Sequence, residues 1–419
     1  MNTILDSEFY DALEIQDPDE RESLLFESLA RHLAQTREDS AYYQDLLKDI
    51  SPGAIKTRAD LAALPVTRKS DLSDLQKKNP PLAGMTNMAP ANFLRIFQSP
   101  GPTYEPEAAG KDWWRMGRAL YAAGVRPGDI IHNTFSYHMT PAGMMIESGA
   151  QAIGCTVVPA GTGQTEQQIQ AIAHIRPSTY TGTPSFLKIL LEKASNAGAD
   201  TGCLNKALVS GEALPQDLRR EFKDHGIQCL QAYASADIGL IGYESKAMEG
   251  LIVDERLIVE IVRPGTGDSV ETGKIGEVVV TSLNRDYPLI RFATGDLSSV
   301  MGGMSPCGRT GMRLSGWKGR ADQSTKVKGM FVTPKQIAEV LKRNPEITKA
   351  RLVVEQRDGA DTMTLKAEAD RDSGGDELLA QALAETLQSI CNLKGEAVIV
   401  KPGSLPKDGL VIEDKRTPG

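Results

Sequence analysis

An aspartate that follows Thr-Gly closes the segment Tyr287-Pro-Leu-Ile-Arg-Phe-Ala-Thr-Gly-Asp296. An ionised carboxylate at the end of a β element can accept two hydrogen bonds from a ribose diol, and charge-assisted bonds of this kind are short and directional. The glycine before it lets the backbone come close to a ligand. A bare Thr-Gly-Asp is also the composition of a tight turn with a solvated aspartate. The Tyr-Pro-Leu-Ile-Arg run ahead of it sets this copy apart. Downstream, Gly316-Trp-Lys-Gly-Arg-Ala-Asp-Gln-Ser-Thr-Lys-Val-Lys-Gly329 gathers Trp317, Arg320, Asp322 and Lys326 into one glycine-bounded stretch.

Two other glycine-containing stretches carry no nucleotide signal. Gly161-Thr-Gly163 and Gly265-Thr-Gly267 lack the third glycine of a dinucleotide fingerprint. Residues 267–274 resemble a Walker A loop, but the spacing is one residue too long and Ile275 stands where Ser or Thr should bind Mg²⁺.

The elements that must position these residues are legible from periodicity. Leu24, Leu25, Leu29 and Leu33 recur at helical spacing, so helices open the chain. Residues 79–92, rich in Pro and Asn, read as a loop. From 112 to 237 helix and strand alternate. Helices are expected at 113–123, 141–152, 166–174, 186–197 and 215–224, and strands at 129–135, 156–159, 178–182, 206–210 and 228–232. Such alternation implies right-handed βαβ crossovers and a mostly parallel sheet. Residues 251–262 and 276–281 are β-rich and suggest an antiparallel subdomain over about 250–316. A small α+β unit follows, with helices at 334–343 and 377–391, strands at 350–356, 362–368 and 396–400, and a hairpin turn at 357–361. The fold class is therefore α/β: a large domain over 1–319, with a helical start at 1–78, and a small domain over 320–419, divided near Gly319 to Asp322.

The totals exclude other classes. A chain of 419 residues is too long for one compact core of ordinary size. Its 40% hydrophobic and 24% charged residues are those of a soluble globular protein. A net charge of −8 disfavours nucleic acid and anionic membrane as partners. No stretch approaches the roughly 20 apolar residues of a membrane helix, and the acidic N-terminus is no secretory signal. A cytoplasmic protein is expected. The five scattered cysteines read as reduced thiols, and Cys307 alone does not make a four-ligand zinc site. Oligomeric state stays open between monomer and homodimer.

The two motifs, Y-P-L-I-R-[FY]-x-T-G-D and G-R-x-D-x-x-x-K-V-[KR]-G, resemble the paired signature of adenylate-forming ligases. Together with the spacer Cys307-Gly-Arg-Thr310 they are similar to the phenylacetate–CoA ligase family in particular. Tyr180-Thr-Gly-Thr-Pro-Ser185, Ser210-Gly-Glu-Ala-Leu-Pro215 and Gln231-Ala-Tyr-Ala-Ser-Ala-Asp237 fall in that family's order. The resemblance implies the adenylate-forming fold, with ATP, Mg²⁺ and coenzyme A, and a small-molecule carboxylic acid as partner.

It also implies roles. Asp296 would bind the ribose hydroxyls, and Arg320 ribose and phosphate, its planar fork suiting oxygen pairs. Tyr233, with Ala232 beside it, would stack on adenine, and the loop Ser210, Gly211, Glu212 would line the adenine pocket. Trp317 would lie near the nucleotide or pack a domain interface. Asp237 stands where the family has a glutamate that helps hold Mg²⁺. Asp322 would be a hinge, with Lys326 and Gly329 on the loop that swings in for the second step. His138 is a candidate for the acyl pocket or the thioester step.

Three places depart from the family's pattern. The phosphate loop reads Phe97-Gln-Ser-Pro-Gly-Pro-Thr-Tyr-Glu-Pro106. Ser99, Gly101 and Thr103 survive as candidate phosphate contacts, Pro100 and Pro102 remove N–H donors, and Glu105 adds a charge expected to repel a triphosphate. The family's C-terminal lysine is displaced: Leu410 follows the glycine, leaving Lys407 or Lys415 to reach the same point. Ala236 has replaced a hydroxyl. Adenylation relies on positioning and charge neutralisation, where losing one preorganised donor costs about 10²–10³ in rate. Three functions follow: an AMP-forming acyl- or aryl-CoA ligase, with an aromatic acid favoured by analogy; a nucleotide- or acyl-adenylate-binding protein without ligase activity; or adenylation with transfer to another acceptor.

Overall fold

The computed structural model describes residues 8–99, 102–321, 323–328, 330–357, 360–369, 376–406 and 410–416. The first helix, Pro18–Asp39, starts where Asp17 accepts from the backbone N–H of Asp19 and Glu20, with Pro18 in the first turn. It buries Phe26, Leu29 and Leu33 on one face. Ser40 ends this helix and caps the next, Ala41–Leu46. The buried face joins Ile258, Val280, Leu289 and Phe292 in one cluster, so the helical start lies against the sheet that carries the Tyr287–Asp296 segment. Tyr43 fastens the two: its hydroxyl donates to Pro288 O at 3.0 Å and accepts from Ile290 N at 3.1 Å.

The large sheet has nine strands among the described residues. Thr156–Pro159, Ile130–Asn133, Thr179–Gly182, Lys206–Val209 and Gln228–Ser235 run parallel in that order. Gly239–Tyr243 and Leu251–Val253 continue it antiparallel, and Arg313–Leu314 and Val300–Met301 finish it. Period two along Lys206–Val209 sends Leu208 to a cluster with the helices Met116–Ala122 and Ala142–Ile153. Ala207 and Val209 go to the opposite face, with Thr165–Ile175, Pro184–Asn196 and Gln216–Asp224. Both faces are covered, as βαβ crossovers require.

The β-rich region divides between two sheets. Its run of residues 251–262 is broken by a turn in which Leu257 N donates to Asp254 O at 3.1 Å. Asp254 and Glu255 are buried against Arg118, whose Nε lies 3.0 Å from Glu255 Oε2. Leu257–Val262, Gly276–Ser282 and Leu289–Ser298 form a second sheet with Thr67–Arg68. The spacer around Cys307 has a structural use. Arg309 pairs with Glu14 at 2.9 Å, and Thr310 Oγ1 donates to Gln16 O at 2.5 Å, which docks the N-terminal segment. No cluster of three or more metal-ligating side chains occurs among the described residues.

The backbone divides into two compact units between Lys318 and Gly319. The second unit has its own core: Ile337, Val340, Leu352, Leu365, Leu383 and Leu387 pack together. Its sheet runs Glu396–Val400, Ala360–Ala369, Ile347–Arg357, Ile412–Asp414. Helix Pro334–Arg343 begins with a capping box between Thr333 and Gln336. No described helix is long and apolar enough to cross a membrane.

Arg291 locks the second sheet. It is 1% exposed, bonds both oxygens of Glu260 at 3.0 Å, and donates to Ala62 O and Leu64 O at 2.6 Å. Arg291→Ala strands a buried carboxylate and three carbonyls, those of Ala62, Leu64 and Gly267. The expected loss is about 3–5 kcal/mol of stability, read as a lowered midpoint in urea denaturation, and a shift within error of zero would contradict the assignment.

Candidate active site

The Thr-Gly-Asp segment is a bulge. Between the pairs Glu277↔Leu297 and Val279↔Ala293, one residue on Gly276–Ser282 faces Thr294, Gly295 and Asp296. The excess throws Asp296 out of the ladder. Thr294 closes the bulge: its Oγ1 donates to Val278 O at 3.0 Å and accepts from Asp296 N at 3.1 Å. Gly295 sits at φ +78°, where a side chain is strained. Thr294 and Gly295 therefore each have a backbone reason.

The projected carboxylate meets two donors. Tyr233 OH donates to Asp296 Oδ2 at 2.8 Å and Trp317 Nε1 to Oδ1 at 3.1 Å. The structure thus gives Tyr233 and Trp317 a shared partner: both orient Asp296. Tyr233 lies near the carboxyl end of Gln228–Ser235, with buried Ala232 before it. The loop Ser210, Gly211, Glu212 follows the adjacent parallel strand, with Gly211 at φ +83° and Glu212 exposed. These residues share the carboxyl edge of the parallel strands, where open α/β sheets bind ligands.

The segment around Ser99 is a hairpin, Arg95–Ser99 against Thr103–Glu107, with Ser99 paired to Thr103. Pro100 and Gly101 lie outside the described residues. Ser99 and Thr103 are the expected phosphate contacts and Glu105 the expected repelling charge. Alternation puts Thr103 and Glu105 on the inward side and leaves Tyr104 outward. Glu105 is 0% exposed. Its Oε1 accepts from Ser99 Oγ at 2.5 Å and Thr103 Oγ1 at 2.8 Å. Its Oε2 is buried without a hydrogen-bond partner among the described residues. Burial, then the charge of Asp237, push the Glu105 carboxyl up to about 7, against the opposing pull of Lys69 and the hydroxyls.

Asp237 is buried and ion-paired to Lys69, the first residue of helix Lys69–Lys78. A divalent ion arriving with phosphates needs a carboxylate with an open face. Asp237 Oδ2 is held by an ammonium, and Oδ1 is buried with no hydrogen-bond partner among the described residues. As placed, these residues do not fit Mg²⁺. Lys69 escaped the sequence reading because a lysine opening a polar helix looks like surface charge. The inward turn of Glu105 had a signal, the period-two run of Thr103, Glu105 and Glu107.

His138 is exposed in the loop after Ile130–Asn133, and Gln98 N donates to the carbonyl of neighbouring Met139 at 2.8 Å. The His138 loop and the hairpin are therefore joined. The other candidates belong to the second unit. Arg320 Nε donates to Ser324 Oγ at 3.1 Å, Lys326 lies in Thr325–Val327, and Lys415 pairs with Glu355 at 3.7 Å. Asp322, Gly329 and Lys407 lie outside the described residues.

Comparison with known proteins bears on this arrangement. The family model of the AMP-binding enzyme matches residues 122–284, and that of the AMP-binding enzyme C-terminal domain matches 329–415. The phenylacetate-coenzyme A ligase of Thermus thermophilus is 30% identical over 82% of this chain and 80% of its own length. That of Aromatoleum evansii is 28% identical over 94% and 93%. The crystal structure of 2-hydroxyisobutyryl-CoA ligase with 2-HIB-AMP and CoA superposes with a TM-score of 0.84 at 22% identity, covering 98% of this chain and 93% of that one. The fold is that of the adenylate-forming CoA ligases.

Replacing Asp296 by alanine removes the one carboxylate that the bulge presents. Hydrogen bonds to a charged group contribute about 1.5–3 kcal/mol, so AMP affinity should fall about ten- to a hundredfold in a calorimetric titration. Tyr233→Phe, which only loosens the carboxylate, should cost less. An AMP affinity unchanged in Asp296→Ala rules out this site for adenosine compounds.

Proposed function

The chain belongs to the phenylacetate–CoA ligase family of AMP-binding enzymes, and on that premise we propose that it activates a carboxylic acid with ATP and transfers the acyl group to coenzyme A. In the first half-reaction a carboxylate oxygen of the acid attacks the α-phosphorus of ATP. The bond to the β-phosphate oxygen breaks, giving acyl-AMP and pyrophosphate. In the second, the thiol sulfur of coenzyme A attacks the acyl carbon, AMP leaves with the bonding pair, and the thiol proton is lost to solvent or a base.

The observation that carries this reading is the Asp296 carboxylate, projected by a strand bulge and oriented by Tyr233 and Trp317 at the carboxyl edge of the sheet. Asp296 receives the ribose diol. Tyr233, Ala232 and the Ser210–Glu212 loop surround the base. Arg320 serves ribose and phosphate, and Asp322 is the hinge for the small unit. Lys407 or Lys415 neutralises charge in adenylation. Lys326 acts in the second step, and His138 in the acyl pocket or at the thioester. The organic acid is aromatic, of the phenylacetate type, by likeness to the ligases named above. Dependence on ATP and coenzyme A favours the cytoplasm.

A second reading, an acyl-adenylate-binding protein without turnover, draws support from Glu105, which holds the hydroxyls of the phosphate loop for itself.

A pyrophosphate-release assay over aromatic and aliphatic acids separates the two. Acid-dependent release, followed by AMP release only when coenzyme A is added, is the expected result. Folded protein that binds AMP yet stays silent over the whole panel would favour the second reading.

A further inference from the structure

Resting on the reading of the Arg95–Glu107 hairpin as the phosphate loop, we propose that Glu105 is a specificity-determining residue that makes the site favour nucleotides with one phosphate, AMP and acyl-AMP, over ATP. The hydroxyls of Ser99 and Thr103 are the loop's side-chain donors to phosphate oxygens, and Pro100 and Pro102 remove two of its backbone N–H donors. Both hydroxyls already donate to one oxygen. Ser99 Oγ lies 2.5 Å and Thr103 Oγ1 2.8 Å from Glu105 Oε1, and the two hydroxyls are 3.1 Å apart. A hydroxyl has one proton to give. While Glu105 holds both, neither can be given to a phosphate.

The carboxylate thus stands in for a phosphate oxygen from inside the fold. It is 0% exposed, so it does not swing into solvent without opening the hairpin face on which Ser99 and Thr103 are also buried. Its surroundings oppose added negative charge. Asp237 is buried beside it, and the Lys69 ammonium that offsets the pair is committed to Asp237. Asp296, which receives the ribose in the proposed function, lies on a different strand, Leu289–Ser298, and makes no use of these hydroxyls. A nucleotide held by its sugar and a single phosphate avoids the hairpin. The β- and γ-phosphates of ATP must break the Glu105 bonds or go without the two loop hydroxyls.

The test is calorimetric titration of the full chain with AMP and with ATP plus magnesium chloride, in the wild type, Glu105→Gln and Glu105→Ala, and in each background with Thr103→Val. The wild type should bind ATP no more tightly than AMP. Thr103→Val should change ATP affinity less than about twofold in the wild type. Either Glu105 variant should raise ATP affinity about tenfold or more relative to AMP, and in the Glu105→Ala background Thr103→Val should remove most of that gain. A wild type that prefers ATP tenfold or more overturns the proposal. So does an ATP-to-AMP ratio that moves less than twofold in both Glu105 variants. Failure of both nucleotides to bind the wild type defeats the nucleotide-site reading itself, whereas AMP binding with an unmoved ratio defeats only the assignment to Glu105. Should Glu105→Ala not fold, Glu105→Gln, equal in shape, carries the comparison, with Thr103→Val made in that background.

Discussion

Three residues on one strand opposite a single residue on its neighbour throw the Asp296 carboxylate out of its ladder. A β-ladder otherwise alternates side chains between two faces, and both faces of a buried sheet are poor places for a charge. The bulge solves this locally, with Thr294 satisfying the displaced backbone and Gly295 supplying the positive φ. Everything else holds that strand in place. Tyr43 ties it to the opening helices and Arg291 ties it to Glu260 and to the chain at Ala62 and Leu64.

The carboxylate is not left to solvent. Tyr233 comes from the large sheet and Trp317 from the segment just before the division between the two units. Asp296 is therefore where the second sheet, the first sheet and the end of the large unit converge. Fixing a carboxylate through two donors before a ligand arrives lowers the entropy lost on binding. A change at any of the three elements is felt at one side chain.

A second set of charges works inward. Asp237 and Lys69 act on Glu105 in opposite directions, and burial, followed by the charge of Asp237, pushes the Glu105 carboxyl up to about 7. Buried charges persist where partners satisfy them, and one left over is costly. Here two carboxylates share one ammonium, and the hydroxyls of Ser99 and Thr103 make up part of the difference. Ser99 and Thr103, which sequence likeness assigns to a phosphate, both donate to Glu105 within the protein. The spacer around Cys307 shows the same economy, its Arg309 and Thr310 binding the N-terminal segment.

The sequence by itself determined the alternation of helix and strand and the small α+β unit, and it singled out Thr294-Gly295-Asp296, where the strand bulges. Those signals are local: period two or 3.6, capping residues, and a turn that only certain residue types tolerate. Strand Thr156–Pro159, helix Pro334–Arg343 and strand Glu396–Val400 could be read to the residue for that reason. Tertiary structure alone decided that Glu105 meets the hydroxyls of Ser99 and Thr103, that Lys69 reaches Asp237 across 168 positions, that Tyr233 and Trp317 share Asp296, and that the stretch from Leu251 to Val262 serves two sheets. These are facts of pairing between segments far apart in the chain. Whether a polar side chain meets solvent, a ligand or a buried partner depends on what the fold brings opposite it, and residue type and spacing carry no record of that.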